Sequence, residues 1–371
     1  MSDVCRQGRR KGRAVMVEAP LAPAPTAQSG CVLDRSELSH SQDTQPQAVW
    51  MQCWLAAYAP EGGVCIENVR LVRRRHGPAV ISQSVLHSAT NLQTPRHSAH
   101  LPPLVSSADM RLALKRHRAA GIIFEYLPQS NLEALRDTRQ ITDLRHLAMP
   151  HAAIPVTDCS IAFDQFVEQR SKRERQRTRR LLRLADEADG PLRFSLVSGG
   201  DQVKTLVEQC LALEQASWKG REGTAILDRS DDARFYRQLA QDLAAAGLLR
   251  LALLHDRQGQ LVAFEFCMLW DSRLIALKTS CSEQHLDLSP GHVLALLHIR
   301  HCCADDTVSL YDVTGNGLSP APHLLRYADR QELLWRVILF APGWRGRLLQ
   351  LMWQARLRLR SVKRFVARQC A

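Results

Sequence analysis

Residues 248–313 restrict the possible folds of this chain more than any other segment. Three runs, 248–255, 261–270 and 274–280, are short and apolar, and polar breaks containing Asp256-Arg257-Gln258-Gly259 and Asp271-Ser272-Arg273 separate them. They read as successive strands. Leu288-Ser289-Pro290-Gly291 then opens a helix over about 292–303, since Pro suits a first helical turn, and 308–313 reads as a further strand. That order specifies an α/β fold and excludes an all-helical or all-β body.

With 371 residues the chain is long for one core, so two domains are expected. Apolar residues make up 45% and charged residues 23%, a globular composition that supports a sizeable core. Of the net charge of +12, nine units lie between Arg336 and Ala371, where there is no Asp or Glu, and +3 remains for residues 1–335. Such a distribution does not describe a chain-wide nucleic-acid surface. The eleven cysteines are odd in number and lack a repeated C-x-x-C spacing, and no signal peptide or 18-residue apolar run accompanies them. Free thiols in a reducing cytoplasm are expected.

Organisation follows from shifts in composition. Residues 1–47 combine Arg9, Arg10, Lys11 and Arg13 with a Pro-, Ala- and Ser-rich stretch, and are expected to form a disordered arm. Residues 48–162 read as a smaller α/β unit, with a hairpin around His76-Gly77-Pro78, a helix over 108–119 and a strand over 121–126. Residues 163–190 read as one basic connector helix, 191–342 as the better-defined C-terminal half and 343–371 as a basic amphipathic helix. In the connector, 170–183 holds eight Lys or Arg against Glu174 alone, which suits either a solvated face or a grip on phosphates.

Named motifs fall in the same order. Arg170-Ser171-Lys172-Arg173 through Arg180, then Leu184, Glu187 and Gly190, resembles the connector "S-K-x-x-R-x-x-x-R-R" of the CelD-like or BioF-like branch of the GNAT acyltransferase superfamily, related to the FemABX tandem folds. Glu214, Ser217, Trp218 and Lys219 resemble its "E-x-x-S-W-K-G". Lys278, Glu283 and Ser289-Pro290-Gly291 resemble "K-x-x-Y-D-E … S-P-G", and Asp312 with Gly315 resembles "D-F-x-x-G". The resemblance covers residues 48–345. Cys281-Ser282 replace the usual Tyr-Asp, residues 320–327 replace a usual Lys near an aromatic, and the superfamily's Q/R-x-x-G-x-G/A loop is absent.

The resemblance implies two tandem acyl-CoA N-acyltransferase (GNAT-like) halves. It also implies acetyl-CoA or another acyl-CoA as co-substrate, no metal, and an amine or hydroxyl acceptor such as a small molecule or an envelope or exopolysaccharide precursor. FemABX-like aminoacyl transfer from tRNA and a catalytically degenerate accessory of a polysaccharide machine are the alternatives, the latter favoured by Cys281-Ser282.

Residue chemistry adds candidates. Leu288, Ser289, Pro290, Gly291, His292 and Val293 place a helix start, with its partial positive charge, where a pyrophosphate can sit; a plain N-cap explains Ser289 equally. Glu265 interrupts an apolar strand, where desolvation suits a carboxylate to accept a proton; its other reading is an ion pair with Lys278 on the next strand. Asp312 is the second base candidate, or a turn residue ahead of Gly315. Glu265, Asp312 and Lys278 are expected to line one cavity beside a substrate site of Glu214, Trp218 and Lys219, in which the indole forms a wall and the ammonium meets an acidic group. His298, His301 and Cys302 share a helical spacing without a fourth ligand, which argues against zinc. In the C-terminal segment, Trp344, Leu348, Leu351, Met352, Trp353, Leu359, Val362 and Phe365 alternate with Arg345, Arg347, Arg356, Arg358, Arg360, Lys363 and Arg364. This pattern suits docking on the inner face of an anionic membrane, or on the protein's own body.

Overall fold

The computed structural model describes residues 46–58, 64–66, 69–77, 82–88, 107–129, 132–133, 144–186, 190–315 and 317–369. Most of the expected N-terminal arm, residues 1–45, lies outside the described residues, as do 78–81 of the hairpin and 187–189 of the connector.

Among the described residues, eleven strands form one mixed sheet in the order β1-β2-β3-β4-β11-β5-β10-β9-β8-β7-β6. The N-terminal strands are β1 (Val64–Ile66), β2 (Val69–His76), β3 (Gln83–Ser88), β4 (Gly121–Pro128) and β5 (His146–Asp158). The C-terminal strands are β6 (Leu192–Val197), β7 (Leu249–Asp256), β8 (Leu261–Trp270), β9 (Arg273–Cys281), β10 (Leu310–Asp312) and β11 (Arg330–Phe340). The two α/β halves expected from the sequence therefore share a sheet. Antiparallel pairing of β10 with β5 joins them, and β11 crosses back to lie between β4 and β5.

Helices cover both faces. They are α1 (Pro46–Tyr58), α2 (Ser107–Arg116), α3 (Phe163–Glu168), α4 (Lys172–Asp186), α5 (Val203–Ala216), α6 (Trp218–Arg221), α7 (Ser230–Ala245), α8 (Pro290–Cys302), α9 (Pro322–Leu325) and α10 (Trp344–Gln369). On one face of the C-terminal half, Phe264, Phe266 and Met268 of β8 pack with α1, α5 and α7, where Trp50, Phe235 and Tyr236 are buried. On the other, Val262, Ala263 and Cys267 pack beneath α4 and α8. Buried on both faces, β8 has no polar alternation, which is why it reads as a continuous apolar run. In the N-terminal half, α2 covers one face and α10 the other, with Leu349 and Trp353 seated on Val85, Ile123 and Ile338.

The expected single helix over 163–188 is two. Gln169 closes α3 onto the Gln165 carbonyl, and Ser171 Oγ accepts from the Glu174 amide at 3.3 Å to start α4. At the break, Arg170 lies over the Phe166 ring at 4.3 Å and donates to Asp329 and the Tyr327 carbonyl. Cys53, Cys159, Cys210, Cys267, Cys281, Cys302 and Cys303 are free thiols. Among the described residues no helix is long and apolar enough to cross a membrane.

Candidate functional site

Strand β9 carries the site because its two neighbours engage different lengths of it. Antiparallel β8 pairs with it from Arg273 to Cys281, whereas parallel β10 pairs only with Arg273, Leu274 and Ile275. Beyond Ile275 no strand among the described residues pairs with the β10 side of β9, so its ladder is open there. A β-bulge inserts Leu277 opposite the Phe266/Cys267 step, and this shifts which residues face each side.

On the α5 face of this opening, the Glu-x-x-Ser-Trp-Lys-Gly segment acts as one unit. Glu214 is fully buried, and its Oε1 accepts from Lys219 Nζ at 3.1 Å and Lys278 Nζ at 3.0 Å, while Oε2 accepts from the Ile226 amide at 2.9 Å. Ser217 ends α5 by donating to the Glu214 carbonyl and starts α6 by accepting from the Lys219 amide. Gly220 is required by the tight turn, since a Cβ there would stand 1.9 Å from the Gln215 carbonyl oxygen. Lys219 Nζ also donates to the Thr279 carbonyl of β9. Burial, partly offset by Glu214, holds the Lys219 ammonium below its ordinary pKa. Beside it Trp218 stands 50% exposed, with its amide on Glu283, which also forms an ion pair with Arg221.

At the far end of β9 the chain turns through a 3₁₀ segment, Glu283–Leu288, into α8. The expected cap at Ser289 takes another form: Ser289 adopts a left-handed backbone (φ 53°), its side chain makes no cap hydrogen bond, and Pro290 occupies the first helical turn. Gly291 is not in a left-handed conformation. A Cβ added there would meet Cys281 Sγ at an ordinary 3.6 Å.

Cations from two other elements gather at this helix start. Burial and then Arg177, Arg326 and His323 push the His292 pKa down to about 4, with Glu174 opposing. The Tyr327 hydroxyl lies 3.2 Å from His292 Nδ1. The Nε atoms of Arg177 and Arg326 are enclosed and have no hydrogen-bond partner among the described residues. Two unsatisfied guanidinium donors at a helix N-terminus fit an anionic ligand such as a pyrophosphate.

The catalytic trio expected from sequence is not brought together. Glu265 pairs across the sheet with Thr279, so it lies on the α8 face, opposite Lys278. The alternative reading of Glu265, an ion pair with Lys278, does not hold either, since Lys278 pairs with Glu214. Glu265, 5% exposed, accepts from Tyr311 Oη at 2.8 and 2.9 Å and lies 2.8 Å from His298 Nδ1. Ligand atoms of Glu265, Cys267 and His298 lie within 4.8 Å of one another, a grouping that the helical His298/His301/Cys302 spacing did not indicate. Asp312 is fully buried on the face opposite Tyr311, accepting from Arg273 at 3.0 Å and from the Thr314 amide. Sequence reasoning missed Arg177, Arg326 and Tyr327 as neighbours of the helix start; the density of Arg in α4 was the available signal.

With the fold and this geometry established, comparison with known proteins locates the domain. Residues 172–320 match the acetyltransferase (GNAT) domain family. The match runs from α4 to the segment after β10 and includes both the Glu214 unit and the α8 start. The C-terminal domain assigned to a lysylphosphatidylglycerol synthetase from Agrobacterium fabrum superposes with a TM-score of 0.50 at 12% identity, over 83% of this chain and 90% of that one. FemX superposes with a TM-score of 0.51 at 9% identity, over 84% and 98%. At these identities the likeness is one of fold. No curated protein matches the sequence.

Proposed function

We propose that the protein transfers an acyl group from acyl-CoA to an amine or hydroxyl acceptor that carries an anionic group, in the manner of the CelD-like branch and on an envelope or exopolysaccharide precursor. The observation that carries this reading is the Arg177 and Arg326 pair beside His292 at the start of α8, whose Nε atoms have no hydrogen-bond partner among the described residues and which only Glu174, 3.6 Å from Arg326, opposes. The pyrophosphate binds there, against the backbone of Leu288 to Val293, and the pantetheine arm follows the open edge of β9.

The acceptor enters on the α5 face, its ring or apolar part against exposed Trp218 and its anion toward Lys219. Lys278 lies on the same face and shares Glu214 with Lys219. Attack by the acceptor forms the new C–N or C–O bond as the C–S bond breaks, and the acceptor's proton passes to the departing thiolate. Lys219 and Lys278 supply positive charge near the carbonyl oxygen as it becomes negative. Glu265 and Asp312 take structural roles in this reading, because both are enclosed and already engaged by neighbouring side chains.

Aminoacyl transfer from tRNA is the second reading, favoured by the exposed row of Lys172, Arg173, Arg179, Arg180 and Arg183 on α4. Calorimetric titration of the full chain with acetyl-CoA, longer acyl-CoAs and tRNA separates the two. The proposal expects acyl-CoA binding that weakens at least tenfold in Arg177→Ala and Arg326→Ala. Binding of tRNA alone supports the second reading, and binding of neither supports a degenerate accessory protein.

A further inference from the structure

The C-terminal helix α10 has two apolar faces, and only one is covered. Gly346, Leu349 and Trp353 lie on the inward side, with Leu349 and Trp353 packed on the N-terminal half of the sheet. Gly346 is needed for the tight entry of the chain into the helix, since a Cβ there would stand 1.9 Å from the Ala341 carbonyl oxygen. Arg336 reaches over the Trp353 ring at 5.5 Å, and Arg145 donates to Gln350, so the docking is fixed in rotation as well as position.

That rotation turns a second stripe outward. Trp344, Leu348, Leu351, Ala355 and Leu359 follow the i, i+4, i+7, i+11, i+15 spacing of one helical face. Trp344 is 67% exposed, and Leu351 and Leu359 are each 62% exposed. Arg345 and Arg356 flank the stripe on one side, Arg347 and Arg358 on the other, and all four are exposed. The same spacing continues in the sequence at Val362 and Val366, whose side chains, like those of Arg360, Lys363, Arg364 and Phe365, lie outside the described residues. From Arg336 to the last residue there is no acidic side chain. On the sheet side of the same helix, Arg74, Arg118 and Arg145 are also exposed.

We infer that the outward face of α10 lies in the headgroup region of an anionic phospholipid membrane, with its axis in the membrane plane. A row of large apolar side chains standing in water between two rows of guanidinium groups matches the chemistry of that interface: Trp and Leu enter the acyl boundary while Arg on both flanks meets phosphates. Charge selects an anionic surface and disfavours a second copy of the same face, because two such helices would set arginines against arginines with no carboxylate between them. The sequence alone left two readings, docking on the protein's own body and docking on a membrane; the structure assigns the Leu349/Trp353 face to the first and the Trp344/Leu351/Leu359 face to the second.

Flotation of the full chain with phosphatidylglycerol vesicles and with phosphatidylcholine vesicles tests this, alongside the double variant Trp344→Ser/Leu351→Ser. Both substitutions are at exposed positions, and thermal unfolding verifies that the variant remains folded. The parent is expected to float with phosphatidylglycerol, to be released at high salt and to ignore phosphatidylcholine. The variant should bind at least tenfold more weakly. A parent that does not float, or a variant that binds equally, overturns the assignment. Light scattering that shows a dimer converted to monomer by the same substitutions assigns the stripe to a second copy and also overturns it.

Discussion

Acidification should expose the strain at the start of α8 through His292. In the folded protein its pKa is about 4, against an ordinary 6.5, because burial and the charges of Arg177 and Arg326 oppose protonation. Above pH 6.5 the ring is neutral in both folded and unfolded chains and contributes no pH dependence. Below 6.5 the unfolded chain takes the proton first, so stability falls until the folded pKa is reached near 4 and then levels. A shift of this size corresponds to about 3 kcal/mol, discounted to roughly 2 because the ring is only half-buried. Urea unfolding of the parent and His292→Gln at pH 7, 5.5 and 4.5 isolates the effect from other titrating groups. The parent should lose about 2 kcal/mol relative to the variant across that range. An anion between Arg177 and Arg326 would raise the folded pKa again, so CoA should stabilise the parent more at pH 5 than at pH 7. Parallel stability curves for parent and variant would refute the electrostatic account of this corner.

Three further outcomes follow from other contacts. Glu214→Leu leaves the Lys219 and Lys278 ammonium groups without their shared buried carboxylate and should lower stability by about 3–5 kcal/mol, read from urea midpoints; an unchanged midpoint would show that the cluster is solvated. Gly346→Ala drives a Cβ into the Ala341 carbonyl and should cost about 1–3 kcal/mol, with loss of the Leu349/Trp353 contacts visible as increased Trp emission wavelength; parent-like emission and melting temperature would contradict the close approach. Glu265→Gln should reduce stability by about 1–3 kcal/mol while acyl-CoA affinity and turnover stay near the parent values; a large fall in turnover at unchanged stability would return Glu265 to the role of base.

Parts of this structure were legible in the sequence for identifiable reasons. Strands β7 to β9 are buried on both faces, so their apolar runs stand out without knowledge of their partners. Strand β5 was hidden because it contains Pro150 and Pro155, residues that argue against a strand interior. The sheet accommodates Pro150 with a bulge, leaving His151 opposite the Leu334/Trp335 step of β11. The break between α3 and α4 involves Gln169 and Arg170, residue types common inside helices, so only tertiary contacts of Arg170 reveal it. In the site, the Glu214-Ser217-Trp218-Lys219 segment stands out in sequence as a unit and Lys278 of β9 was expected beside it, but that Lys278 pairs with Glu214 and not with Glu265 was not legible. The bulge at Leu277 decides which residues of β9 face α5, and a one-residue change of register exchanges the faces of a strand.

The crossing of β11 back between β4 and β5 sets an order in time for the making of this protein. During synthesis, the first five strands emerge long before residues 330–340, yet β4 and β5 are not ladder partners of each other and are joined only when β11 arrives to bond both. The amino-terminal half therefore stays incomplete on the ribosome while the residues matched to the acetyltransferase domain can close their own strands, β6 to β9, by short hairpins and local crossings. A ribosome stalled, or a gene cut, before Phe340 would release a chain whose carboxyl-terminal half is folded and whose amino-terminal half presents two unpaired strand edges, a species prone to aggregate.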